Sequence, residues 1–294
     1  MTVGAVAKKQ SNFSKILTGI WDEFVYGGHL ISLGPTIIAY IYMKISNYSI
    51  SWKLLLGIYL ITFLVHLIDR YIDIKNDSSA TRSAYYIKME KVLPYILILS
   101  VIALVVVLTG SFVMQVFALF VIMMGVFYTI FFKRLTRYIL GFKSYYTASI
   151  FAGSVIFTAF YYNDYRFNLS LILIYLFFFL RWFSDTIFCD IKDIAKDKTD
   201  KLKTFAVEFS KNKLYIFLYV IDILSVLPIF IGVFFDYLPK YLLFLTTVPL
   251  YSYYYLILSR RPNADYQKLA NVWADGESIV WIVAFVIGGL IWAH

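Results

Sequence analysis

The sequence predicts an all-α integral membrane protein: nine transmembrane helices in one bundle, with acidic motifs after helices 2 and 6. Three observations predict it. Hydrophobic residues make up 61% of the 294 residues and charged ones only 15%, and the mean hydropathy is +0.74, far too apolar for a soluble domain of this length. Apolar runs long enough to cross a hydrocarbon core of about 30 Å recur along the chain. Lys and Arg gather in alternate connections between those runs, the pattern left when basic residues stay on one side of a membrane.

Taken in order, the expected spans lie near 27–45, 51–68, 93–110, 112–132, 144–162, 168–184, 213–235, 239–258 and 276–293. The segment 1–20 is polar and reads as a cytoplasmic N-terminal stretch rather than a cleavable signal. With that segment inside, Lys44, Lys53, Arg166 and Lys240 face outward and the other 23 of the 27 Lys and Arg face inward. The N-terminus and the long charged loops 69–92, 133–143, 185–212 and 259–275 are therefore expected in the cytoplasm, and the C-terminus outside. No polar linker is long enough to separate two domains, so residues 1–294 read as one domain.

The net charge of +9 is spread over five membrane-flanking loops. Topology and anionic headgroups account for it, and no nucleic-acid partner is expected. One cysteine excludes an internal disulfide, and there is no zinc-ligand spacing, phosphate-binding loop or dinucleotide turn.

Chemistry gathers at two inner helix ends. Helix 2 runs into "DRYIDIKND" (69–77), where Asp69, Asp73 and Asp77 stand at i, i+4 and i+8, within about 80° of helix face. Helix 6 runs into "DIKDIAKD" (190–197), where Asp190, Asp193 and Asp197 stand at i, i+3 and i+7, within about 60°. Asp185 falls about 140° from Asp190 and reads as a flanking residue, like Arg181 and Asp200. Asp73-Ile74-Lys75 recurs as Asp190-Ile191-Lys192, an internal echo that would bring the two loops face to face.

Like charges stacked on one face repel. Either these are solvated helix ends offset by Lys75, Arg82, Lys192 and Lys196, or they share a counter-ion, and two stripes of one form on one side favour the second. Mg²⁺ takes oxygen ligands, commonly one or two carboxylates with water and substrate phosphate oxygens. Two facing stripes suit metals flanking a diphosphate and neutralising the charge it gains as its bond to carbon breaks.

These motifs resemble those of the UbiA-type intramembrane prenyltransferases, nine-helix proteins with one Asp-rich motif after helix 2 and another after helix 6. "DIKDIAKDKTDKLKTFAV" (190–207) is similar to the family's D-I-x-D-x-x-x-D followed by K-T-L-P-V. In the first motif Asp73 and Asp77 match, while Asp69 stands where the family has Asn and Arg70 where it has Asp. "FYTIFFKRLTRYILGFKSYY" (127–146) resembles the family's Tyr-x4-Lys-Arg segment. The family's Arg-Pro near helix 1 is replaced by "EFVYGGHLISLGP" (23–35), which leaves the acceptor open among a quinone-type ring, a porphyrin or chlorin alcohol and a phospho-lipid precursor.

The resemblance implies Mg²⁺-dependent transfer of a polyprenyl group from a prenyl diphosphate to a hydrophobic or amphipathic acceptor among membrane lipids, for lipid or quinone-type biosynthesis. It makes Asp69, Asp73, Asp77, Asp190, Asp193 and Asp197 the metal ligands, with Asp73, Asp190 and Lys133 central to catalysis. Lys133, Lys203 and Arg82 are candidates to grip the diphosphate. Tyr128 is among the aromatic faces that could stabilise an allylic cation. His29, in "YGGHL", is a candidate for acceptor contact or general base. His66, one turn before Asp69, and Asp222, inside helix 7, are polar groups within spans, where such groups turn toward the bundle interior.

Two other readings remain. A cation transporter could use the acidic clusters, but transport sites lie near the bilayer midplane, and here only Asp222 lies well inside a span. A non-catalytic relative of the family is suggested by Arg70, and five matching aspartates argue against it.

Overall fold

The computed structural model describes residues 12–73 and 81–292, and every regular element among them is helical. In chain order the helices are α1 (Asn12–Tyr26), α2 (His29–Ile45), α3 (Trp52–Asp73), α4 (Thr81–Met89), α5 (Leu93–Leu108), α6 (Phe112–Phe127), α7 (Lys133–Leu135) and α8 (Phe142–Ala152). There follow α9 (Ser154–Tyr161), α10 (Leu169–Cys189), α11 (Ile194–Thr199), α12 (Phe205–Glu208), α13 (Lys211–Phe234), α14 (Val248–Ser259), α15 (Tyr266–Lys268) and α16 (Glu277–Trp292). Tightened 3₁₀ turns cover Asp190–Asp193 and Lys240–Thr247, and widened π-helical turns cover Tyr128–Phe132 and Leu269–Ala274.

Each expected span contains helix, but length separates them. Five stretches among the described residues are long and apolar enough to cross a membrane alone: Trp52–Ile72, Leu169–Thr199, Lys211–Phe234, Lys240–Ser259 and Tyr266–Trp292. A sixth forms if Ile16–Tyr26 and His29–Ile45, bent by 57°, count as one span. The 16 residues of α5 and of α6 reach about 24 Å each at 1.5 Å per residue, short of a hydrocarbon core of about 30 Å. The expected span 144–162 breaks at Gly153 into α8 and α9.

Burial marks the chain as an integral membrane protein. Leu99 and Ile102 on α5, Ile223 and Leu227 on α13, and Val283 and Leu290 on α16 are exposed. An apolar surface of this extent is stable against lipid and unstable in water. Proline is tolerated at Pro35 in α2 and Pro228 in α13, as membrane helices allow where neighbours satisfy the freed carbonyls.

The N-terminal stretch differs from its sequence reading: from Asn12 it is helix rather than plain polar chain. Phe13, Ile16, Leu17 and Ile20 stand at i, i+3, i+4 and i+7 and are exposed, the stripe of a helix lying in a membrane interface. The chain then turns at Gly28, whose φ of 97° costs little without a Cβ. A Cβ there would also lie 2.3 Å from the His66 ring.

At the centre stands α10, packed against α8 and α13. Phe177, Phe178, Trp182 and Phe188 fill the main core; Trp182 meets Trp281 edge-on at 5.7 Å, and Phe188 lies 4.8 Å from Tyr255. Within this core sits a fully buried ion cluster. Arg181, read from the sequence as a flank, donates to Asp222 Oδ1 at 2.7 Å and to both oxygens of Glu277 at 2.8 and 2.6 Å. The hydroxyls of Ser184 and Ser252 donate to Asp222 at 2.8 Å, and Trp281 Nε1 donates to Glu277 at 2.9 Å. The partner of Asp222, absent from the sequence reading, is Arg181.

At the opposite end of the bundle, in the 162–168 connection, Asp164 accepts from Arg166 Nε at 2.9 Å and Nη2 at 3.0 Å and from Tyr48 Oη at 2.9 Å. The Arg166 guanidinium, joined by the tyrosine, holds the Asp164 carboxyl below the usual carboxylate range.

Removing one member of a buried ion cluster strands the others without partners. Arg181→Met is expected to destabilise the protein by about 3–5 kcal/mol, read as a lowered Tm in detergent; an unchanged Tm would refute the cluster's structural role.

Candidate functional site

One cavity of about 280 Å³ opens among α2, α3, α6, α8, α10 and the Leu269–Ala274 turn. Helical spacing explains its walls. From α3 come Thr62, Val65, His66, Asp69 and Arg70, at i, i+3, i+4, i+7 and i+8; from α8 come Lys143, Tyr146, Thr147, Ile150 and Phe151 with the same spacing. From α10 come Trp182, Asp185, Thr186 and Cys189.

At Asp190 the helix tightens into its 3₁₀ turn, which advances about 120° per residue instead of about 100°. Asp190 and Asp193 in that turn line the same cavity as Asp185, and α11 then adds Lys196 and Asp197. The sequence expectation that Asp185 points away from the cluster is therefore corrected. The Asp185 and Asp190 carboxylates line one cavity despite their separation around the helix.

The charges are interleaved. Lys143 Nζ lies 2.7 Å from Asp190 Oδ1 and 3.7 Å from Asp197 Oδ2, and Ser144 Oγ donates to Asp190 Oδ2 at 3.3 Å. Lys192 Nζ donates to Asp193 at 2.8 Å. On the α3 wall Arg70 Nη2 stands 3.6 Å from Asp69 Oδ2. Asp190 and Asp197 are buried, so their contacts with Lys143 act in a poorly screened environment.

Backbone hydrogen bonds seat the Lys143 helix. Lys203 N donates to Thr136 O and Gly141 N donates to Lys203 O, both at 2.8 Å, clipping two loops together. Gly141, at φ 65°, precedes α8, and a Cβ on it would lie 2.0 Å from the Phe205 ring. Only glycine fits there.

Of the residues singled out from the sequence, Asp69, Tyr128, Asp190, Asp193 and Asp197 line this cavity. Asp77 lies outside the described residues, and so do the side chains of Asp73, Arg82 and Lys133. Lys203 turns its side chain outward and contributes only its backbone. His29 is absent from the cavity wall among the described residues. It stacks on Phe63 at 4.7 Å, hydrogen-bonds Tyr59 and lies 3.1 Å from Glu23 Oε1, tying α2 to α1 and α3.

Sequence reasoning missed Lys143 as a cation of the site, and it passed over Asp185 and Asp275. Lys143 shares a face with the cavity-lining residues of α8, but a basic residue at a membrane boundary gives no sign by itself. Asp185, Cys189 and Asp275 have ligand atoms all within 4.8 Å of one another. The cavity thus carries acidic groups able to bind a metal ion.

Fold and cavity together define an all-helical integral membrane protein whose acidic pocket continues between apolar helices. The family model described as the UbiA prenyltransferase family matches residues 32–274. The chain belongs to that family and is a prenyltransferase. A solved structure of a digeranylgeranylglyceryl phosphate synthase in membranes superposes with a TM-score of 0.53 at 16% identity, over 94% of this chain and 99% of that one. That likeness shows the shared fold. No curated protein sequence matches this chain.

Lys143→Ala is expected to lower prenyl-transfer kcat/KM by roughly ten- to a hundredfold, the loss of a charge-assisted contact of about 1.5–3 kcal/mol. Lys203→Ala should stay within about twofold, as an exposed cation would. Steady-state kinetics with labelled prenyl diphosphate separates the two, and equal losses would refute the placement of Lys143.

Proposed function

We propose that this chain is one transmembrane domain that transfers a polyprenyl group from its diphosphate to a hydrophobic or amphipathic acceptor held in the membrane. One observation carries the reading. Carboxylates from the end of α3 and from the turn and helix that follow α10 line one cavity together with the apolar Ile58, Ile61, Phe117, Val121 and Ile150. A prenyl diphosphate has that same polarity, a compact anion on an apolar tail.

Asp69, Asp190, Asp193 and Asp197 supply hard oxygen donors on opposing walls, a donor set that suits Mg²⁺, and Asp73 and Asp77 would complete it. When bound, Mg²⁺ supplies charge neutralisation to the diphosphate as it departs. Lys143 and Arg70 add fixed positive charge beside the leaving oxygens. Tyr128 and Tyr146, stacked at 5.0 Å, offer aromatic faces to an allylic cation without attacking it. Ile58, Ile61, Phe117, Val121 and Ile150 line the path for the tail and exclude the water that would otherwise capture the cation.

The distribution of Lys and Arg supports nine spans, with the N-terminus and acidic loops cytoplasmic and the C-terminus outside. Against a transport role, Asp222, the carboxylate that the sequence places well inside a span, is bound by Arg181.

The test is consumption of labelled prenyl diphosphate by the purified protein with Mg²⁺ and after chelation. Chelation should stop it and Mg²⁺ restore it, and Asp190→Asn should reduce it by at least about a hundredfold. Consumption untouched by either change would sink the reading.

A further inference from the structure

The cavity extends well away from its acids. On α3 its lining runs from Asp69 back to Ile58, and on α6 from Tyr128 back to Phe117. Each pair is eleven residues apart, a rise of about 16 Å at about 1.5 Å per residue. The two walls are therefore of equal length.

Beyond that depth the bundle is filled. Ile58 is 2% exposed and belongs to a packed cluster with Ala39, Met43, Leu54, Met114 and Phe157, against which Phe117 also packs. Leu54 stands one turn beyond Ile58 on α3, Met114 stands three residues beyond Phe117 on α6, and both are fully buried. Phe117 stacks on Phe157 with ring centroids 3.4 Å apart. At the far side of this cluster Tyr48 stacks on Tyr162 at 4.4 Å, and Ser51 Oγ lies 3.1 Å from Tyr161 Oη. An interior packed in this way takes in added atoms only by straining its neighbours.

A prenyl tail lying along these helices meets that limit. An extended isoprene unit contributes four carbon–carbon bonds of about 1.5 Å and advances about 5 Å. Three units reach about 15 Å, the distance from the acids to Ile58 and Phe117, and a fourth would need the space of Leu54 and Met114. The cavity volume of about 280 Å³ lies at the small end of ligand pockets, about 300–1,000 Å³, as a short tail requires.

We propose that Ile58 and Phe117 form the floor of the tail path and make the chain selective for a prenyl diphosphate of about three isoprene units, the farnesyl donor. The proposal rests on the prenyltransferase reading of the same cavity. A geranyl tail would leave the apolar wall near the floor uncovered, and a geranylgeranyl tail would have to displace the packed cluster or double back.

Binding tests this without an acceptor. The probes are the S-thiolodiphosphates of geranyl, farnesyl and geranylgeranyl, which carry sulfur in place of the bridging oxygen and resist ionisation. Each is titrated calorimetrically into the full chain in detergent with Mg²⁺, and comparing variant with wild type for one probe cancels its partition into the detergent. The wild type should bind the farnesyl probe at least about tenfold more tightly than the geranylgeranyl one, the scale on which an apolar pocket discriminates by size. Phe117→Ala, or Ile58→Ala on the facing wall, should tighten the geranylgeranyl probe to within about threefold of farnesyl, a gain that misfolding cannot produce. Val121 lines the cavity one turn nearer the acids than Phe117, about 5 Å or one isoprene unit, so Val121→Phe should move the preference to geranyl. A wild-type preference for another length, or for none, overturns the proposal. So does a preference unmoved in the opened and narrowed variants alike. If no probe binds in the presence of Mg²⁺, the prenyltransferase reading falls, and this proposal with it.

Discussion

The structure depends on an arginine with no exposed side-chain atom. Arg181 lies in an apolar core where four elements meet, α10, α13, α14 and α16, and it is held by Asp222 and Glu277. An unpaired guanidinium inside a membrane bundle would be expensive, so neither α13 nor α16 can rotate or slide without exposing a charge. Apolar ridges alone would tolerate several registers. The ion cluster specifies one, at the known cost of desolvating its members.

That fixed register reaches the cavity through α10. Arg181 and Asp185 are one turn apart, so a helix pinned at Arg181 presents Asp185, Cys189 and the following acids at set heights along the cavity wall. Asp190 and Asp193 follow in a 3₁₀ turn and line the same cavity, with Asp190 against Lys143. Packing rather than loop flexibility thus positions the acidic end of the pocket. A rigid set of ligating groups suits chemistry that depends on placing charge where a leaving group develops it.

Much of this was legible in the sequence because its signals are periodic or chargewise simple. Apolar runs marked the helices, and the spacing within "DIKDIAKD" placed three aspartates together. What escaped depended on contacts across the chain. An angle between two side chains does not say whether one cavity reaches both, so the 100° rule misdirected Asp185. The pairing of Arg181 with Asp222 and Glu277 joins residues 41 and 96 positions apart, which no local pattern encodes. His29 drew attention as a polar residue in an apolar segment, and its contacts with Glu23 and Tyr59 join three helices in a way that no local pattern encodes. The α1 stripe of Phe13, Ile16, Leu17 and Ile20 was present in the sequence, and a search for full-length spans overlooks a short interfacial helix.

Charge along α10 and the turn after it is placed in interleaved pairs. Arg181 is shared by two carboxylates, and Asp185 lies one turn further along the same helix. Lys143 is held by Asp190 and Asp197 at the other end of the same stretch. Lys192 joins the two stretches, donating to Asp193 and to Cys189 O. Charges of both signs therefore alternate from Arg181 to Asp197, and the register that seats one pair seats the next.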